Sequence, residues 1–289
     1  MALLRERQLS AYRIGAAGNA SAALRLLTGL EADCRTRLGD DAWFTLVVRH
    51  GIAYWTGVCG GALEAREQTR RLLDIYRGRL DAQDHERSRG HEHDRDHSHT
   101  HGHGRRALRL LRDDLARWTG EAGDPGEAAR QYAELRRDTE RALGPDAPET
   151  LLARHNTAYW TAAQGAHARV VALADFRALL DDEHRVNGPA HPHTLAVRHN
   201  IAHWTEAEGD PHTAHRLFTA LLHDRTTALG REHPHTLLNA FHVARLTRDH
   251  TDTAAGATGL VQLSPHFARV FGDDHPWTRR LRRELGAGD

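Results

Sequence analysis

The sequence predicts an all-α fold, a solenoid of about five to six stacked helix-turn-helix repeats, and three observations carry that prediction. A block that starts at Thr150 and reads Thr-Leu-Leu-Ala-Arg-His-Asn-Thr-Ala-Tyr-Trp-Thr returns 44 residues later, from Thr194, as Thr-Leu-Ala-Val-Arg-His-Asn-Ile-Ala-His-Trp-Thr. A glycine turn follows each copy, and beyond it apolar residues recur at helical spacing, as in Ala214, Leu217, Phe218, Leu221 and Leu222. Arginine, alanine and leucine dominate a composition with only nine prolines, which suits helices better than strands.

The elements follow in chain order. Residues 8–39 read as a degenerate first repeat, with Gly18 and Asn19 as its turn and Ala23 and Leu27 one helical turn apart after it. The repeat over 41–80 carries a weaker copy of the block, from Thr45 through Arg49 to Thr56. The repeat over 105–144 lacks the Arg-His-Asn but keeps Ala116, Trp118 and Thr119, with Trp118 placed 42 residues before Trp160. Repeats over 147–188 and 191–230 hold the two strong copies, and the repeat over 233–272 holds a decayed one through Phe241, His242, Val243 and Ala244. Gly256 and Gly259 interrupt the second helix of that last repeat and Ser264-Pro265 breaks it, so this segment is expected to pack most loosely. A lone capping helix over 275–289 closes the chain.

The junctions between repeats share a pattern. Leu143-Gly144 or Leu229-Gly230 ends one helix, and His191-Pro192-His193-Thr194 or His233-Pro234-His235-Thr236 opens the next. Glycine supplies the left-handed C-cap and proline suits the first helical position, where its missing N–H costs nothing. No two-helix unit of this length buries its apolar faces alone, so neighbours must stack, giving one array over residues 1–289.

Charge and chemistry narrow the function. Lys plus Arg is 39 and Asp plus Glu is 39, so no global field selects nucleic acid or an acidic membrane. All of the basic residues are arginine. Without lysine there is no Walker-type phosphate loop and no Schiff-base or pyridoxal-phosphate chemistry. Nucleophile elbows and His-Glu-x-x-His helices are also absent, so the chain is not expected to be an enzyme. The two cysteines, Cys34 and Cys59, are too few for a zinc cage or a disulfide framework, which points to a reducing cytoplasm. No leader-like apolar run follows Arg5, Glu6 and Arg7, and no stretch reaches ~18 consecutive apolar residues, so the protein is expected to be soluble and unsecreted.

Ala116, Trp118, Gly123 and Ala128-x-x-x-Tyr132, then Ala202, Trp204, Gly209 and Ala214-x-x-x-Phe218, follow the small, aromatic, glycine, Ala-x-x-x-aromatic order of the tetratricopeptide repeat. With the longer period and the Leu-Gly-x-x-His-Pro-x-Thr-Leu junction, the chain resembles the kinesin-light-chain type of that repeat, familiar from actinobacterial proteins. The resemblance covers nearly the whole chain and implies a right-handed superhelix whose first helices line a concave face.

It also implies that the asparagine before the small residue binds extended peptide backbone, a position matched by Asn156 and Asn200. His155, Tyr159, His199 and His203 then project into the same groove, and His50 and Tyr54 continue it. An amide both donates to and accepts from a peptide bond, while imidazole and phenol add selectivity. The recurring Arg-His-Asn is equally what inter-repeat packing and hydrogen bonding would leave after duplication. The tryptophans at positions 55, 118, 160 and 204 read as core between stacked helices.

One feature interrupts the period. Residues 81–104 are inserted between the second and third repeats, almost free of aliphatic residues, and are expected to form a disordered loop. His91, His93, His97, His99, His101 and His103 within it suit weak binding of nickel, zinc or copper(II), although a plain polar linker has the same composition. No other cofactor is implied. The expected function is therefore a cytoplasmic scaffold or adaptor whose groove holds a protein or peptide partner, with metal binding by the 85–103 stretch as the alternative.

Overall fold

The computed structural model describes residues 1–88, 96–273 and 275–286. Every regular element among them is an α-helix: α1 (Ala2–Ala16), α2 (Ala20–Leu38), α3 (Trp43–Val58), α4 (Ala62–Ser88), α5 (Asp96–Glu121), α6 (Pro125–Leu143), α7 (Pro148–Ala162), α8 (Ala166–Val186), α9 (Pro192–Ala207), α10 (Pro211–Leu229), α11 (Pro234–His250), α12 (Thr253–Phe271) and α13 (Pro276–Glu284). They pair in order as the first and second helices of successive repeats, with α13 left single. The residues gather into two compact units, 1–139 and 140–289, whereas the period alone leads to one run over 1–289. A sequence period records duplication and runs on unbroken from Trp118 to Trp160; the density of packing decides where the chain divides.

The junction motif works through one backbone turn and two kinds of local bond. Gly39, Gly144, Gly188 and Gly230 take the positive φ that ends a helix, between 87° and 95°. The threonine hydroxyls of Thr45, Thr150 and Thr194 then donate to the carbonyls of Gly39, Gly144 and Gly188 at 2.8–2.9 Å. His191, His233 and His275 sit at the N-caps of α9, α11 and α13, where each Nδ1 accepts the N–H two residues on at 3.2–3.3 Å. Within repeats, Asp124, Asp210 and Asp252 cap α6, α10 and α12 by accepting the N–H three residues on.

In the first unit, Leu4, Ala11, Ala23, Leu27, Leu30, Cys34, Val48 and Trp55 form one core and Leu46, Leu72, Leu73, Tyr76 and Leu111 another. Trp55, Trp118, Trp160 and Trp204 are all buried, as expected. A small residue of the preceding repeat seats each ring where the packing is tightest: a Cβ on Gly57 would lie 2.5 Å from the Trp118 ring, and Gly15 lies as close under Trp55. In the second unit Ala162 and Trp204 share a core with Leu151, Phe176 and Val197. Burying each such large side chain contributes roughly 2–3 kcal/mol.

Two expectations are corrected. Of the stretch 81–104, residues 81–88 continue α4 and 96–104 begin α5, so the expected disordered loop is helical over both ends. Once a helix is nucleated by packing, extension through Ala, Gln, Glu and Arg costs little, and Leu80 packing near Gly104 keeps the two helices side by side at that level. The second correction concerns α12, which is continuous through Pro265 where a break is expected. A Cβ on Gly256 would overlap the backbone of Arg248, and one on Gly259 would lie 3.1 Å from the Ala244 side chain. Those glycines bring α12 against α11 at Arg248 and Ala244.

Candidate functional site on the first helices

Four registers organise the first helices, counted back from Trp55, Trp118, Trp160, Trp204 and their counterpart Leu246. Six positions back stand Arg112, Arg154 and Arg198, which brace first helix to second through Asp138, Asp182 and Asp224 at 2.6, 2.8 and 2.7 Å. Arg49 turns instead to Glu31 and Asp40 at 2.9 and 2.8 Å. In the last repeat the same two positions are Ala240 and His266, and the rung is missing. A groove of about 980 Å³ opens there between α10 and α12, lined by Thr226, Ala240, Val243, Gly259, Leu263 and His266 among others. A smaller one of about 420 Å³ lies beside Arg49 in the first unit, with Thr28, Ile52, Gln68 and Leu72 on its walls.

Five and four positions back, the residues of one repeat meet those of the next. His50 Nε2 lies 2.6 Å from Asp114 Oδ2, and Asn200 Nδ2 donates to His155 Nε2 at 2.8 Å. The His199 and His242 rings stand 5.5 Å apart at the equivalent place. Asn200 is buried by this arrangement, so the expectation that its amide faces a ligand gives way: its amide is spent on the seam. Asn156, at the same register, is half-buried.

Burial also sets the imidazole charge. Desolvation, with smaller contributions from neighbouring basic groups, pushes His155 down to about 4 and His199 to about 3 and holds His203 and His242 below the ordinary range. These rings are neutral near pH 7. They pack as aromatics: Phe218 stacks on His242 at 4.7 Å, and Phe176 meets His155 edge-on at 5.6 Å. Buried Nδ1 atoms of His199 and His242 have no hydrogen-bond partner among the described residues.

One position back, the side chains stay partly exposed between buried neighbours: Tyr54 and Arg117 in the first unit, Tyr159, His203 and Arg245 in the second. Tyr54 reaches Trp118 and Tyr159 reaches Trp204, with ring centroids 6.1 and 5.7 Å apart. Arg245 pairs with Glu206, and Trp277 with Arg280 on α13 comes up beside His242 and Phe241. The sequence reading missed His242, Arg245 and Glu206. Aligning the decayed copy residue by residue places His242 on the Asn200 register and Arg245 on the His203 register, and that was the available signal.

No protein-family model matches the chain, and no curated protein matches its sequence. Solved structures do. A putative kinesin light chain from Podosopora anserina with nearly identical TPR-like repeats superposes with a TM-score of 0.55 at 20% identity, covering 78% of this chain and 95% of that one. The fold is that of tetratricopeptide-like repeats. BtubC (BKLC) from P. vanneervenii matches over 99% of this chain and 93% of its own, with a TM-score of 0.55 and 13% identity. The Rap protein complexed with competence and sporulation factor matches over 99% and 83%, with a TM-score of 0.59 and 10% identity.

Within this tetratricopeptide-like frame, Tyr54, Tyr159 and His203 share a partly exposed register, while Asn200 is buried at the seam between repeats. His91 and His93 lie outside the described residues. His97, His99, His101 and His103 belong to the first turns of α5, of which the backbone is described. No described helix is long and apolar enough to cross a membrane.

Proposed function

We propose that this chain is a non-catalytic cytoplasmic scaffold whose first-helix face in the second unit holds a protein or peptide segment. The observation that carries this reading is a shared register: Tyr159, His203 and Arg245 are each partly exposed between two buried neighbours on three successive first helices. Buried residues fix the backbone of each helix, so these side chains are presented from a rigid surface, and rigid presentation lowers the entropy lost on binding. A phenol and a neutral imidazole offer polar contacts with apolar ring area beside them, and the Arg245–Glu206 pair adds a charged edge. The Rap structure, solved with competence and sporulation factor, is a tetratricopeptide-like relative in fold that holds another molecule. The two cysteines are free thiols, in keeping with a reducing compartment.

Affinity capture tests the reading. Tyr159→Ala, His203→Ala and Arg245→Ala, combined, are expected to lose a partner that the unaltered chain retains, with helix content unchanged by circular dichroism. Capture of every partner by a folded triple variant would remove the assignment. Asn200→Ala is the wrong probe, because it unsettles the seam between repeats.

A further inference from the structure

We infer that Glu183, His191 and His193 form a binding site for a divalent transition-metal ion at the junction of α8 and α9. One ligand atom from each of the three lies within 4.8 Å of the others. Glu183, in the last turn of α8, is 1% exposed. Its carboxylate accepts from Asn187 Nδ2 at 2.7 Å and takes part in no ion pair among the described residues. A buried carboxylate without a cation is costly, and a divalent ion would supply the missing charge.

The molecule contains its own contrast. Thr139, Arg225 and Phe267 occupy the Glu183 position in neighbouring repeats. His191-Pro192-His193 recurs as His233-Pro234-His235, and there the second helix presents Arg225 in place of the glutamate. Arg225 donates to the carbonyls of His235 and Leu195 at 3.1 Å, and a fixed guanidinium repels a metal ion. The same pair of histidines thus meets a carboxylate at one junction and a cation at the next.

Two imidazoles and one carboxylate suit zinc, nickel or cobalt and leave a coordination position for water. The Asn187 amide orients the carboxylate from behind, the service that outer hydrogen bonds give metal ligands. His191 spends its Nδ1 lone pair on a 3.3 Å cap bond, which loading exchanges for a metal bond. A bound ion would clip the end of one repeat to the start of the next. The site stands apart from the scaffold reading and does not depend on it.

Zinc titration calorimetry on the full chain tests it. The unaltered protein is expected to bind one more zinc ion than either Glu183→Gln or His193→Gln. Zinc is also expected to raise the Tm of the unaltered chain more than that of either variant. The histidine-rich stretch is present in all three proteins, so the difference isolates this junction. Equal stoichiometry and equal Tm shifts in the three would overturn the site. Should a variant not fold, zinc-edge anomalous diffraction on crystals of the unaltered chain decides: a peak about 2.0–2.2 Å from the three donors supports the site, and zinc peaks found only elsewhere overturn it.

Discussion

Asn200 donates its amide to His155 across the α7–α9 seam, at 2.8 Å, and each side chain is the other's polar partner in a closely packed interface. Asn200→Ala leaves the imidazole acceptor buried and unanswered, and is expected to cost about 1–3 kcal/mol. Asn200→Asp copies the His50–Asp114 pair of the first unit and is expected to raise the His155 pKa from about 4, because a carboxylate favours the imidazolium. Urea denaturation reads the first effect and histidine NMR titration the second; an unchanged stability in the alanine variant contradicts the seam.

Acid should destabilise the second unit before its carboxylates titrate. His199, pushed to about 3, and His242, also depressed, are neutral when folded, whereas unfolded histidine titrates near ~6.5. The unfolded chain therefore binds more protons below that value, so the stabilisation is complete above pH ~6.5 and is lost as the pH falls. The expected slope is up to about 1.4 kcal/mol per pH unit for each histidine. Thermal melts at pH values of about 7.5, 6 and 5 check this, and His199→Gln with His242→Gln should flatten the dependence.

Two glycines inside helices should respond in opposite directions. Gly256→Ala places a Cβ onto the Arg248 backbone and must force α11 and α12 apart; a loss of about 1–3 kcal/mol is expected. Gly78, in α4, has nothing within 4 Å of a built Cβ, so Gly78→Ala should gain roughly 0.5–1 kcal/mol from helix propensity. Paired melts of the two variants decide it.

The missing rung can be rebuilt. Ala240→Arg with His266→Asp restores the arginine–aspartate brace seen at Arg154–Asp182 and Arg198–Asp224. The coupling in a double-mutant cycle is expected at about 0.2–1 kcal/mol, and the groove of about 980 Å³ should shrink in a crystal structure of the double variant. Zero coupling with an unaltered groove would show that the ladder plays no part in shaping it.

Much of the fold was legible because it is written in short-range chemistry. The Gly188 C-cap, the Pro192 start and the Thr194 hydroxyl act within a few residues, so α9 begins at the residue the motif marks. The small-residue and tryptophan registers repeat, so their burial could be read from recurrence. Asn200 could not be resolved the same way, since a ligand-binding amide and a seam amide leave the same mark when a repeat is copied. Gly256 misled for a related reason: glycine lowers helix propensity locally, and only the position of Arg248 on the neighbouring helix reveals that a side chain has no room.

By itself the sequence determined the helices, their order, their caps and the apolar stripe that each must bury, because these depend on neighbours within about one or two turns. Tertiary structure decided which polar groups were left over. Whether His155 meets Asn200, whether Glu183 meets His191 and His193, and whether Ala240 leaves a groove depend on which residues of separate helices arrive at the same point. Contact between helices is a property of packing, and it determines whether a repeated residue is spent inside the protein or remains available to something outside it.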